Sequence, residues 1–142
     1  MTTADARHLL RILGDLDRFL TETLDPILRT TGIGREHWQV LRLLEDGQGH
    51  AMGEIAQSAG LPGATATRVV DLLAANMLIY RRNDPLDRRR VLVHLSDVGA
   101  GTLRRIQDGL RDHTSPALTG FSASDRGKLV ELLDRFLHVD AS

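Results

Sequence analysis

Two short groups of side chains in this sequence have the chemistry needed to contact phosphates and bases. The first is the arginine run at Arg88, Arg89 and Arg90, which directly follows Asp87. An arginine at the tip of a hairpin can enter a narrow minor groove, where the negative potential is enhanced. Asp87 would hold that guanidinium extended through a two-pronged ion pair. The alternative interpretation is a charged, solvated loop.

The second group lies on the polar side of a helical pattern that begins after Pro62. Its hydroxyls can donate to phosphate or contact a thymine methyl group, and its arginine can reach guanine or a phosphate. Its small residues allow the helix N-terminus to approach DNA closely. The alternative is a solvated helix face. The members of this group are Gly63, Ala64, Thr65, Thr67 and Arg68.

Four consecutive elements would position both groups. Helical periodicity covers residues 54–59 and 63–75, with a break at Gly60-Leu61-Pro62 between them. Two apolar, alternating runs follow at residues 78–82 and 89–95, joined by a segment rich in turn formers. The order helix, turn, helix, hairpin predicts a winged helix-turn-helix, mainly α with a small β-hairpin.

Further amphipathic helices are predicted on both sides of this unit. Residues 5–31 carry a long apolar stripe, and residues 35–45 form a second helix in which Trp38 anchors the core or lines a ligand pocket. Two helices follow the hairpin, with N-caps at Ser96 and Ser122. We therefore expect N- and C-terminal dimerisation helices at 1–32 and 99–142, flanking a DNA-binding domain at 33–98. Packing of these stripes within one chain is the alternative.

Charge is segregated along the sequence. The 142 residues carry a net charge of −1, but residues 63–95 hold six arginines against three aspartates, or +3. The remainder carries −4, so the positive charge coincides with the hairpin. The absence of cysteine excludes thiol-based sensing and disulfides. No membrane-spanning run or signal-peptide core is present, which predicts a cytoplasmic protein.

Catalytic and metal-binding interpretations find little support in the sequence. His94, Ser96 and Asp97 are close in sequence, but neighbouring residues of a strand point to opposite faces and do not make a triad. His37 and His113 lie on helices that can approach one another, so a metal-responsive regulator of the same fold stays open as an alternative. A winged helix used only for protein contacts is the other alternative. We expect no enzyme activity and no cofactor.

Two patterns of this sequence are distinctive: Asp-x-Arg, which begins at Asp87, and Leu-Ser-x-x-Gly, which begins at Leu95. With these patterns, the sequence resembles the multiple antibiotic resistance regulator (MarR) family over nearly its full length. Two departures from the family pattern are Gly53, where a hydroxyl cap is usual, and Met77, where a glycine usually ends the recognition helix; we expect Asn76 to take the left-handed cap conformation instead. The matching positions are 32–33, 38–41, 54–56, 64–73, 78–79, 87–90 and 95–99.

This resemblance implies a homodimeric regulator that binds a pseudo-palindromic site on double-stranded DNA. It implies that Arg89 enters the minor groove with Asp87 supporting it. Such proteins are usually repressors, released when a small, often aromatic, molecule binds between the DNA-binding and dimer regions. The sequence has few aromatic residues with which to line such a pocket, so we expect weak affinity for an aromatic effector or an aliphatic one.

Overall fold

A computed structural model describes residues 1–139, and its elements confirm a mainly helical chain with one antiparallel hairpin. The last three positions of the predicted segment 99–142 lie outside the described residues. Two short 3-10 turns, Leu44–Asp46 and Ser115–Leu118, follow α2 and α5. The elements are α1 Thr3–Thr31, α2 Arg35–Leu43, α3 Met52–Ala59, α4 Gly63–Ala75, β1 Ile79–Asn83, β2 Val91–Leu95, α5 Asp97–Thr114 and α6 Ala123–Leu137.

One hydrophobic core joins the C-terminal half of α1, helices α2 to α5 and the hairpin. Trp38 is buried in that core, with the Arg42 guanidinium 4.6 Å from its ring centroid, which confirms its predicted role as an anchor. Ile79 and Val93 bring one side of the hairpin into the same core. Helix α6, in contrast, contributes no buried side chain. The hairpin is therefore fixed to the helices by burial as well as by chain connection.

The hairpin is shorter than the alternating pattern predicts. Its register pairs Ile79 with Leu95 and Asn83 with Val91, so each strand begins one or two residues later than expected. The backbone N–H of Leu78 is used to close the preceding helix, where it donates to the carbonyl of Leu73 at 2.9 Å. Arg89 lies in the connecting turn. Some residues that the alternating pattern assigns to strands therefore close the preceding helix or form the turn instead.

Capping side chains begin the helices where the sequence predicts. Ser96 accepts a hydrogen bond from the N–H of Gly99 and starts α5, and Ser122 forms a reciprocal capping box with Asp125 at the start of α6. Each such cap typically stabilises a helix by about 1 kcal/mol. Pro62 is the N-cap of α4, which begins at Gly63 as the helical periodicity predicts. None of the helices in residues 1–139 is long and apolar enough to cross a membrane.

Gly99 fixes how closely α5 approaches the hairpin. The glycine is buried, and a β-carbon at this position would clash with the backbone carbonyl oxygen of Leu78 and with the side chain of Leu95. The same carbonyl accepts a hydrogen bond from the N–H of Ser96 at 3.1 Å. Backbone rather than a mobile side chain blocks the space, so a substitution must move α5 or β1.

Replacing Gly99 with alanine is expected to destabilise the fold by about 1–3 kcal/mol, because it overpacks this contact. The matched control is Gly101→Ala in the same helix, where a β-carbon meets nothing within 4 Å. That change should stabilise the protein by up to about 1 kcal/mol, since alanine is the better helix former. Urea unfolding at one fixed protein concentration measures both. Equal effects of the two substitutions would contradict the assigned contact.

Candidate nucleic-acid interface

Helix α4 has the two faces required of a recognition helix. Its core side is buried against α2 and α3, whereas Gly63, Ala64, Thr67 and Arg68 are exposed and Thr65 is partly so. The turn before it is closed by the N–H of Leu61, which donates to the carbonyl of Ala56 at 2.9 Å. The core side consists of Ala66, Val69, Val70 and Leu73.

The polar side chains of this face form hydrogen bonds within α4. Thr67 donates its hydroxyl hydrogen to the carbonyl of Gly63 at 3.0 Å. The Thr67 hydroxyl can therefore donate to a phosphate only when this bond to the backbone is broken. Thr65 accepts a hydrogen bond from the Arg68 guanidinium at 3.4 Å. This contact inclines Arg68 toward the N-terminal end of α4 and leaves its remaining N–H groups free for an acceptor.

The turn between the strands, here called the wing turn, comprises residues 84–90 and is shaped by two aspartates. Asp84 accepts a hydrogen bond from the N–H of Leu86 at 2.9 Å, and Asp87 accepts one from the N–H of Arg89 at 3.1 Å. The predicted ion pair between Asp87 and an arginine guanidinium does not form in the described structure. The short aspartate side chain instead reaches the backbone two residues ahead. Asp87 thus orders the backbone that carries Arg89.

The arginines of the hairpin fall into two classes. Arg81 pairs with Asp71 of α4, and Arg90 pairs with Glu54 of α3. Within residues 1–139, Arg88 and Arg89 make no ion pair and are exposed. The run that looks uniform in sequence is therefore divided into a residue that attaches the hairpin and two that face solvent. Exposed ion pairs of this kind are worth about 0–1 kcal/mol each, enough to bias the orientation of the hairpin but not to hold it alone.

Two arginines of β1 belong to this surface although they lie outside both groups predicted from the sequence. Arg81 and Arg82 are both exposed, and Arg82 makes no ion pair in the part of the chain that the structure describes. The positive charge of β1 was visible in the sequence. Which of its residues pairs with α4 depended on the strand register, which periodicity alone does not give.

The junction between α4 and the hairpin differs from the sequence expectation. Asn76 has φ −91°, and Met77 is the residue in the left-handed region, with φ 59°. The carbonyl of Met77 accepts a hydrogen bond from the Ser96 hydroxyl at 2.6 Å. Its N–H donates to the carbonyl of Ala74 at 3.0 Å. Both bonds hold a methionine in a conformation that favours glycine.

The residues considered for catalysis or metal binding serve local structure. The His94 ring stacks on Tyr80 with centroids 5.2 Å apart, and the Ser96 hydroxyl caps α5, so the two do not form a nucleophile–base pair. His37 accepts a hydrogen bond from the N–H of Gly34 at 3.3 Å, and burial lowers its pKa. His113 bonds the carbonyl of Gly109 at 2.8 Å. Residues 1–139 contain no group of three or more His, Asp or Glu placed to hold a metal ion.

Known proteins with similar sequences identify the family. The MarR family profile matches residues 31–90. The HTH-type transcriptional regulator YxaD of Bacillus subtilis is 30% identical over 107 residues, which cover 75% of this chain and 75% of that protein. The chain belongs to the MarR family. The HTH-type transcriptional repressor YetL of the same organism is 23% identical over 92% of this chain and 79% of its own length.

A solved structure confirms the winged helix-turn-helix fold. A single-site mutant of MepR from S. aureus, bound to an oligodeoxyribonucleotide, superimposes with a TM-score of 0.66 at 21% identity. The match covers 93% of this chain and 95% of the MepR chain. It therefore includes the helices on both sides of the helix-turn-helix and the hairpin, in agreement with the predicted arrangement.

Replacing Met77 with glycine is expected to stabilise this MarR family protein by about 1 kcal/mol, since glycine removes the left-handed penalty. Met77 is 71% exposed, so little packing is lost. Asn76→Gly is the matched control. It should destabilise by about 1 kcal/mol, because φ is ordinary there and its amide bond to the Leu72 carbonyl disappears. Chemical denaturation distinguishes the two, and a less stable Met77→Gly variant would contradict the assignment.

Proposed function

We propose that this MarR family regulator is a homodimeric repressor that binds a pseudo-palindromic operator in double-stranded DNA. One observation carries the proposal. Arg88 and Arg89 face solvent at the tip of a hairpin that two further arginines, Arg81 and Arg90, attach to α4 and α3 of the helix-turn-helix. Unpaired guanidinium groups on a held support are suited to phosphate and minor-groove contacts. The DNA-bound state of the MepR mutant and the repressor name of YetL support the same interpretation.

The proposed contacts divide between the two elements. Helix α4 would enter the major groove with its small N-terminal residues and with Thr65, Thr67 and Arg68, while Arg89 would reach the minor groove. Asp87 supports Arg89 through the backbone, and Arg88 adds a phosphate contact. Arg90 contributes indirectly, because its guanidinium is paired with Glu54. The small residues, Gly63 and Ala64, leave direct base reading to few side chains, so DNA shape carries part of the specificity.

Exposed apolar side chains on the terminal helices support the dimer. On α6, Leu132 is 47% exposed and Phe136 48% exposed, and α1 presents Leu16 and Phe19 in the same way. Apolar stripes of this length on a single chain are typical of surfaces covered by another subunit. We therefore assign residues 1–32 and 99–142 to the dimer region, and residues 33–98 to the DNA-binding domain.

A groove of about 250 Å³ supports an effector site between these two regions. It lies between the 3-10 turn after α2, strand β2 and helix α5. Its lining includes the apolar side chains of Leu95 and Leu103, and the charge of Arg104 is opposed by that of Glu45. This lining contains no aromatic ring. It suits a small aliphatic ligand better than a stacked aromatic one. Ala100 and Gln107 complete the lining.

The proposed function includes neither catalysis nor metal sensing. We place the protein in the cytoplasm, where it would bind DNA. The salt dependence of DNA binding distinguishes this proposal from a winged helix that is used only for protein contacts. Binding to random duplex DNA should fall steeply as salt concentration rises, because neutralised phosphates release counterions. Absence of duplex binding at every salt concentration would favour the protein-contact alternative.

Arg89→Ala is expected to weaken operator binding by about 1–3 kcal/mol, because a groove contact is lost. Operator sequences come from selection of bound duplexes out of random DNA, and fluorescence anisotropy then measures affinity. Arg111→Ala is the matched control: it removes the same charge from α5, where Arg111 pairs with Asp108. Its effect should be small. Equal losses in the two variants would remove the minor-groove assignment.

A double substitution, Leu132→Asp with Phe136→Asp, is expected to abolish the dimer, because two carboxylates enter an apolar surface. Arg135→Asp introduces a carboxylate on the charged side of the same helix and should leave the dimer intact. Sedimentation velocity at micromolar concentration measures the state of each. A wild-type protein that sediments as a monomer would overturn the dimer proposal itself.

A further inference from the structure

His50 connects the hairpin to the helix-turn-helix through its backbone. It lies just before α3 and forms an isolated antiparallel bridge with Val93 of β2. The His50 N–H donates to the Val93 carbonyl at 3.0 Å, and the Val93 N–H donates to the His50 carbonyl at 2.8 Å. Helix α3 begins at Met52, two residues after this bridge.

The side chain of His50 lies between two carboxylates. Its Nε2 is 2.8 Å from Asp46 Oδ2, in the 3-10 turn after α2, and its Nδ1 is 3.3 Å from Glu54 Oε2, on α3. Carboxylates only accept hydrogen bonds, so both contacts are satisfied together only when both ring nitrogens carry hydrogen. That form is the imidazolium. The side chain is 26% exposed, so solvent screens the pairs only in part.

Glu54 is shared between His50 and the wing turn. One oxygen, Oε2, faces His50, while the other, Oε1, pairs with the guanidinium of Arg90. Charges therefore alternate in sign through Asp46, His50, Glu54 and Arg90. The chain of contacts runs from the end of α2 through the first helix of the helix-turn-helix to the base of the wing turn.

The other ionisable groups nearby are engaged elsewhere. Glu45, in the same 3-10 turn as Asp46, accepts a hydrogen bond from Gln107 of α5 at 2.9 Å. On β2, the His94 ring stacks on Tyr80 and lies against Gly49. The groups that face His50 from the elements packed around it are thus Asp46 and Glu54, with Arg90 acting through Glu54.

Protonation of His50 follows from these contacts. Burial by itself lowers the pKa of His50, but the hydrogen bonds and charges of Asp46 and Glu54 outweigh it, so the net pKa is raised above the ordinary value. A group with a raised folded-state pKa stabilises its contacts at low pH and loses them as pH rises through that pKa. The arrangement is complete in mildly acidic solution and weakens on the alkaline side.

We propose that His50 is a positioning residue for the wing: its imidazolium holds Glu54 in place for Arg90, so that operator binding weakens when His50 loses its proton. The part concerning operator binding rests on the proposed function above. The part concerning wing position is a property of the free protein. A proton is therefore a regulator of this DNA-binding surface, acting through a side chain outside the proposed DNA contacts.

The free protein tests the positioning role by NMR titration of the imidazole and of the backbone amides of Arg90 and Val93. The amide shifts are expected to follow the His50 midpoint, and Glu54→Gln should lower that midpoint. The matched control is His113→Gln, which should leave both unchanged. The proposal would be overturned if the amide shifts of Arg90 and Val93 did not change with the His50 titration. It would also be overturned if Glu54→Gln left the His50 midpoint unchanged.

Operator binding tests the consequence. Wild-type affinity is expected to fall about three- to tenfold between about pH 6 and pH 8, because the bound protein holds the His50 proton more tightly than the free protein. His50→Arg keeps the charge and should remain tight and independent of pH, whereas His50→Gln should be weaker and equally flat. The wild-type pH profile persisting in His50→Gln would overturn the link to binding. Absence of operator binding at every pH would count against the proposed function, and the titration above would still decide the positioning role.

Discussion

The attachment of the hairpin to the helix-turn-helix is the constraint on which the DNA-binding surface depends. Ile79 and Val93 bury one side of the hairpin in the core, and the contact between Gly99 and the Leu78 carbonyl sets its distance from α5. Two surface ion pairs, through Arg81 and Arg90, then orient it toward α4 and α3. Burial supplies most of the free energy, because exposed ion pairs contribute little. The ion pairs determine how the hairpin is oriented relative to α3 and α4.

This division of labour explains how a chain with a net charge of −1 presents a surface suited to a polyanion. Part of the positive charge of the hairpin is neutralised by Asp71 and Glu54, whereas Arg82 on β1 and Arg88 and Arg89 at the tip make no ion pair within residues 1–139. Such a surface has a shorter electrostatic reach than that of a strongly basic protein. For DNA binding, the correct placement of a few guanidinium groups then matters more than total charge. Residues that only position the hairpin therefore affect function.

One hydrophobic core encloses the apolar side chains of the helix-turn-helix, whereas much of the apolar surface of the terminal helices lies outside it. Trp38, Val40 and Leu41 of α2 lie in a closed core, whereas α6 has no buried side chain and α1 is buried only toward its C-terminal half. The same apolar periodicity therefore has two different outcomes within one chain. Where helices from the same chain meet, it forms a core, and elsewhere it leaves apolar side chains exposed.

The sequence by itself determined the element order, the caps at Ser96 and Ser122 and the amphipathic faces of α4 and α6, because periodicity and capping are local properties. It also located the arginines of the wing. Only the tertiary structure decided which of them are paired, since Glu54 and Arg90 are 36 residues apart and meet through packing. The same holds for Asp87, whose side chain reaches backbone rather than guanidinium, and for Met77, held in the left-handed region by Ser96. Contacts between distant segments depend on register and on competition among neighbouring partners, and a pattern of residue types contains neither.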